Sequence, residues 1–232
     1  MGVLLKACLN GARSHTAPRT PAEVAAEGRA AVAAGAGAIH VHPRGVDGKE
    51  TLDGRAIAAT LDALRAVVDV PIGISTGAWF LPDPHDRLRA IEGWTVLPDF
   101  ASVNMHEDGS DHIAGLLLDR GVDIEAGLWT GDSAKAFVDA GSAQHCIRAL
   151  IEPLDQDPAV AHAIVDAVVA ALDGIDVPRL LHGYEATAWE MVRRAGAEGF
   201  DTRIGMEDTL VLPDGSPAAS NADLVRAALA LL

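Results

Sequence analysis

Short aliphatic runs alternate with longer stretches of helical period along the whole chain. The runs that read as strands are 3–10 (VLLKACLN), 38–42 (AIHVH), 71–76 (PIGIST), 100–105 (FASVNM), 123–130 (DIEAGLWT), 146–153 (CIRALIEP), 179–184 (RLLHGY) and 202–207 (TRIGME). The segments after them carry apolar spacings that predict helices near 21–35, 55–68, 84–94, 111–120, 132–140, 157–173, 186–196 and 220–231. Thr20, Pro21 and Glu23 supply an N-cap, a first-turn proline and a capping-box acid for the first of these. Gly35, Gly121, Gly141, Gly174 and Gly196 are expected to end helices in the left-handed conformation.

Eight strands alternating with eight helices predict an α/β fold, a (β/α)₈ TIM barrel, as one domain over residues 1–232. A doubly wound open sheet is the rival. Two features argue against it: no GxGxxG follows the first strand, and polar residues end nearly every strand. In a barrel those ends converge on one mouth, where barrel enzymes carry their chemistry.

Composition narrows the partners. With 18 basic against 33 acidic residues the net charge is −15, which excludes the basic face that nucleic acid or an anionic membrane needs. No apolar run reaches the roughly 18 residues of a membrane helix. MGVLLKACLNGAR lacks the pattern of a secretory signal, and Cys8 and Cys146 read as small buried thiols, so a cytoplasmic location is expected.

The strand ends collect Asn10, His40, His42, Ser75, Thr76, Asn104, Glu125, Glu152, His182, Glu207 and Asp208. Residues i and i+2 of a strand share a face, so the imidazoles of His40 and His42 project together. Two histidines and a carboxylate, here Glu207, are a known catalytic zinc set; bare strand-end histidines satisfied by hydrogen bonds are the alternative. Asp208 leaves the strand in another direction, free to act as a base, or else belongs to a solvated acidic loop. Arg203 and Glu207 would lie about 13 Å apart on a fully extended strand. Gly183 would let a ligand approach the backbone. His106 is a weaker loop candidate. His15, His85, His112, His145 and His162 read as surface or packing residues. Trp79, Phe80 and Leu81 form an apolar patch that could lid the site, meet a neighbour or pack on the barrel.

These segments resemble the β-keto acid cleavage enzymes, whose founding activity is 3-keto-5-aminohexanoate cleavage. The matching stretches are LNGAR (9–13), 20–44, DVPIGISTG (69–77), PDFASVN (98–104), IEAGLW (124–129), HGYEATAW (182–189), RIGMEDTL (203–210) and SNADLVRAA (220–228). The resemblance implies a zinc-dependent barrel with one Zn²⁺ per chain. It also implies exchange of the acyl part of a β-keto acid with acetyl-CoA, giving acetoacetate and a new acyl-CoA. Carried over by residue, His40, His42 and Glu207 are the metal ligands and Asp208 is the base with Arg203 as its oriented partner. Ser75 is the hydroxyl that holds the substrate carboxylate and orients the base. Ser102 and Asn104 match the strand-four substrate contacts and Glu125 the strand-five acid; Asn10, Thr76 and Gly183 are expected beside the substrate from their strand-end positions, with a helix cap or simple turn as the alternative at Thr76. The family's habit implies a homo-oligomer, a dimer or tetramer.

Two departures qualify the resemblance. Arg13 stands where the founding enzyme type carries a glutamate for the substrate's amino group, so a neutral or acidic β-keto acid is expected. The chain is also shorter than typical members. Its three lysines build no diphosphate site, which leaves Arg44 as the best local candidate to seat coenzyme A. A CoA-independent, metal-dependent aldolase-like lyase or hydrolase is the second expectation, and a barrel that binds a metabolite without turnover the third.

Overall fold

The computed structural model describes residues 2–13 and 16–232; His15 lies outside them. Eight parallel strands close in the order β1 to β8 with β8 paired to β1. They are β1 (Leu5–Cys8), β2 (Ala38–Val41), β3 (Ile72–Ser75), β4 (Phe100–Asn104), β5 (Asp123–Leu128), β6 (Arg148–Ile151), β7 (Arg179–Leu181) and β8 (Asp201–Ile204). The helices are α1 (Pro21–Ala33), α2 (Gly54–Arg65), α3 (Pro84–Glu92), α4 (Ser110–Asp119), α5 (Gly131–Asp139), α6 (Pro158–Ala171), α7 (Ala188–Glu198) and α8 (Asn221–Leu229). No helix is long and apolar enough to cross a membrane among the described residues.

The expected barrel is therefore observed. Each apolar run gives only part of its length to the sheet, from 3 residues in β7 to 6 in β5, and its last residues always lie past the strand. The remainder bends away into the loops over the mouth, which frees strand-end side chains to turn. Local signals act as read. Thr20 accepts the Glu23 amide while the Glu23 carboxylate accepts the amides of Thr20 and Arg19. Gly35, Gly121, Gly141 and Gly174 have positive φ after their helices. Gly196 does not: it lies inside α7, which runs one turn further to Gly199 at φ 71°. His85, His112 and His145 are exposed, and His162 meets Glu190 at 2.7 Å.

One expectation fails inside the barrel. Glu125 is the third residue of β5 rather than its end, and it is fully buried. Its carboxylate pairs across the barrel with Lys6 of β1, also fully buried, and lies 3.5 Å from Arg148 Nε. The Lys6 ammonium stands 5.4 Å from the Phe100 ring centre, and a Cβ at Gly73 would overlap that ring at 1.9 Å. Glu125 thus belongs to a charged plug beneath the mouth, and the strand-five acid of the resemblance is not in the cavity.

Candidate active site

The cavity at the C-terminal ends of the strands has a volume of about 650 Å³. His40, His42 and Glu207 line one side of its floor. His40 is on β2 and His42 just past it. Their rings stand edge to face at 75° with the Nε2 atoms 3.1 Å apart. Glu207 reaches them because the chain turns after Ile204, with the Glu207 amide bonded to the Cys8 carbonyl at 3.2 Å. The same turn brings Glu207 within 2.7 Å of Arg203, so the extended spacing of about 13 Å does not hold. Gly11 makes room for the carboxylate: at φ 53°, a Cβ there would lie 2.4 Å from Glu207 Cγ.

Glu207 Oε2 lies 3.5 Å from His42 Nε2 and 3.9 Å from His40 Nε2, and it is buried without a hydrogen-bond partner. Tetrahedral nitrogen and oxygen ligands at about 2.0–2.2 Å from a metal sit about 3.4 Å from one another. The three observed separations bracket that value, so these side chains fit a zinc-sized divalent ion. The three ligand atoms form the one such cluster among the described residues. Behind them, Glu50 pairs with His42 Nδ1, the carboxylate–histidine arrangement that fixes the tautomer of a metal ligand.

Electrostatics suit ligand duty at His40 and Glu207, whereas His42 must shed a proton to bind a metal. Burial holds His40 well below the usual histidine range, hence neutral. Burial also opposes charge on His42, but Glu207 and Glu50 outweigh it and raise the ring to about 9. Burial disfavours the Glu207 carboxylate, yet Arg203 and the two histidines hold it well below the usual carboxylate range.

Arg203 joins this cluster to a second one. Its Nη2 donates at 2.7 Å to both Glu207 Oε1 and Asp208 Oδ1, and Nε donates to Asp208 Oδ1 at 3.2 Å. Asp208 is fully buried behind the cavity wall, with Oδ2 unpartnered. Beside Asp208 Oδ1, at 3.5 Å, is His182 Nδ1; on the ring's other side, Nε2 lies 3.1 Å from Glu152 Oε2 without hydrogen-bond alignment. Burial and the Arg203 charge disfavour an imidazolium at His182, but Asp208 and Glu152 prevail and its pKa rises. At Glu152, burial is outweighed by His182 and the pKa falls.

This pairing predicts a pH dependence. A histidine pKa raised on folding adds stability that is complete below its unfolded value and fades as pH climbs through the folded value. The Tm advantage of wild type over His182→Gln is expected to be largest just below pH 6.5, the ordinary histidine value, and to shrink in alkali. Thermal melts of both proteins across pH check this; an advantage that grows with pH would refute the pairing.

The remaining predicted residues divide. Arg13, Ser75, Ser102 and Asn104 line the cavity, and Asn104 is oriented by donating to Glu107 Oε1 at 2.8 Å. Asn10, Thr76 and Gly183 do not line it. Asn10 is consumed as a brace: its side chain bonds the amide and carbonyl of His42, the Gly11 amide and the Pro18 carbonyl. Thr76 Oγ1 donates to the Ser102 carbonyl at 2.8 Å. Gly183 is small because a Cβ would meet the Thr187 carbonyl at 2.5 Å. Arg44, the candidate for a diphosphate, spends its guanidinium on the carbonyls of Gly48, Gly11 and Arg13. His106 packs its ring 4.3 Å from that of Trp129.

Several residues in or behind the cavity had no role assigned from sequence. Glu152 and His182 stand at strand ends but carry no spacing signal. Glu50 arrives through a short hairpin closed by the Arg44–Glu50 bridge, which no periodicity marks. Trp79 lies near-parallel to the His42 ring at 6.2 Å and lines the cavity, so of the three readings of its patch the lid is the one its position fits.

A family model described as beta-keto acid cleavage enzyme matches residues 3–117 and 155–232. All of His40, His42, Ser75, Ser102, Asn104, Arg203, Glu207 and Asp208 fall in those stretches; Glu125, Trp129 and Glu152 fall between them. No curated protein matches the sequence. Among solved structures, 3-dehydroquinate dehydratase from Geobacillus kaustophilus HTA426 superposes with a TM-score of 0.67 at 12% identity, over 100% of this chain and 91% of that one. N-acetylmannosamine-6-phosphate 2-epimerase from Clostridium perfringens superposes with a TM-score of 0.58 at 13% identity, over 89% and 87%. At such identities these two similarities establish the barrel and nothing about chemistry.

Proposed function

The chain belongs to the β-keto acid cleavage enzyme family, and we propose that it exchanges the acyl group of a β-keto acid with acetyl-CoA, using one zinc ion per chain. The observation that carries this reading is the placement of His40, His42 and Glu207 on the cavity floor, with Arg203 linking Glu207 to Asp208 behind the wall. The balanced reaction is R–CO–CH₂–COO⁻ plus CH₃–CO–SCoA to CH₃–CO–CH₂–COO⁻ plus R–CO–SCoA.

His40, His42 and Glu207 would hold a divalent ion, whose Lewis acidity would acidify the C2 protons of a β-keto acid. Ser75, Ser102 and Asn104, on the adjoining strands β3 and β4, receive the substrate carboxylate. Arg203 holds Asp208 by its Oδ1, and the C2 proton is assigned to the unpartnered Oδ2, which the side chain must turn toward the cavity to present. The C2 carbanion attacks the thioester carbonyl and CoA thiolate leaves. The thiolate then attacks the original ketone, the C2–C3 bond breaks, and Asp208 returns its proton to C2. Arg203 and the amides at the cavity floor offset the negative charge that develops on oxygen.

Acetoacetate is expected from a panel of β-keto acids only when acetyl-CoA is present, in protein carrying one zinc per chain by elemental analysis. The commitment of Arg44 to backbone carbonyls favours a second reading, metal-dependent cleavage without CoA. Zinc-dependent consumption of a β-keto acid at an equal rate without the thioester would establish that alternative. Stoichiometric zinc with no turnover in either assay would refute both.

A further inference from the structure

We propose that Glu185 masks Arg13, so that the cavity selects β-keto acids with an uncharged, apolar acyl chain over those with a second carboxylate. This deepens the acyl-exchange reading by naming the substrate class, and it rests on that reading only for turnover.

Arg13 and Glu185 both line the cavity, from the loops after β1 and β7. An unpaired arginine there would recruit a carboxylate. Instead, Arg13 Nη2 donates to Glu185 Oε1, and its guanidinium carbon lies 5.7 Å from the Tyr184 ring centre. The protein has supplied the anion itself. Arg203, the other guanidinium lining the cavity, is tied to Glu207 and Asp208. An acidic chain end would therefore meet no guanidinium that is not already paired.

The backbone of Glu185 shows that this placement is built. It is the one non-glycine residue with positive φ among the described residues, at 48°. A side chain pays for that conformation, and such strain persists only where the surroundings hold it. Here the Glu185 amide donates to the Asp208 carbonyl at 2.7 Å, which locks the carboxylate over the mouth.

The rest of the mouth is apolar. Trp79 at 49%, Leu154 at 43% and Tyr184 at 37% are among the exposed large hydrophobic residues of the chain, and all three line this one cavity with Trp129. Exposed apolar surface gathered round a concave site marks where a ligand's apolar part rests. Trp79 and Tyr184 fall within the stretches that match the family model, and Trp129 and Leu154 between them.

The test is a binding titration of hexanoate and adipate against the metal-loaded protein, followed by tryptophan fluorescence and calorimetry. Hexanoate is expected to bind wild type at least about tenfold more tightly than adipate, and Glu185→Gln to improve adipate binding about tenfold, the scale of one charge-assisted hydrogen bond. Arg13→Gln in the Glu185→Gln background should cancel that gain, which a merely structural effect of residue 185 would not do. Adipate bound as tightly as hexanoate by wild type, or unchanged by Glu185→Gln, overturns the mask. Turnover of 3-oxohexanoate against 3-oxoadipate with acetyl-CoA should follow the same order. Absence of acetoacetate from both would refute acyl exchange while the binding result still decides the mask.

Discussion

His42→Ala is expected to purify folded, nearly free of zinc, and with kcat/KM for β-keto acid turnover reduced roughly a thousandfold or more, the several kcal/mol that Lewis-acid activation supplies. Beyond ligation, His42 has few structural duties. Its ring packs against Trp79 and Phe80 and its Nδ1 meets Glu50, all near the mouth, so truncation removes a ligand without opening the barrel core. The two remaining ligands, His40 and Glu207, cannot close a three-point site. Glu50→Gln is expected to act in the same direction but more weakly, lowering zinc affinity about 10- to 100-fold, because it loosens the ring instead of deleting it. Elemental analysis and chelator competition, with circular dichroism as the folding control, separate the two effects. Full zinc content in His42→Ala would refute the ligand assignment.

The HVH pair was legible because strand geometry is local: alternation alone puts two imidazoles on one face. Glu207 was legible as a strand-end carboxylate, but its contact with Arg203 was not. Extended spacing separates the two, and only the turn after Ile204 folds one onto the other. Asn10 and Thr76 show the opposite failure. Both stand where a ligand would be met, yet each hydrogen-bonds the chain beside it, and sequence position does not reveal which way a polar side chain turns. Arg13 was legible as a cation at the mouth. Its partner comes from residue 185, 172 positions along the chain, through a backbone conformation that composition and period do not encode. Local rules thus recover the elements and the short-range pairs, whereas the groups that neutralise and orient them come from other strands of the closed barrel.

Glu125 is the sharpest instance, and it yields the largest expected effect on stability. Read as a substrate-side acid, it would tolerate Glu125→Gln with loss of activity alone. The structure demands another outcome. Lys6 and Glu125 are both wholly removed from water, on β1 and β5 at opposite sides of the barrel, and each is the other's ion-pair partner. Removing Glu125 leaves Lys6 without a counter-charge and removing Lys6 leaves Glu125 only the more distant Arg148, losses on the scale of about 3–5 kcal/mol. Glu125→Gln and Lys6→Met are therefore each expected to lower the Tm by more than 5 °C for a chain of this size, at roughly 2–4 °C per kcal/mol. The double variant Lys6→Met/Glu125→Leu should recover most of that loss, because a well-packed apolar pair avoids the desolvation that the ion pair only offsets. Arg148, 3.5 Å from the same carboxylate and partly exposed, can turn toward solvent in the double variant. Thermal melts of the three proteins decide the matter. Additive losses in the double variant would mean that the two charges are solvated independently and do not form a plug. A near-native Tm for Glu125→Gln with a large rise in KM would instead return Glu125 to the substrate site.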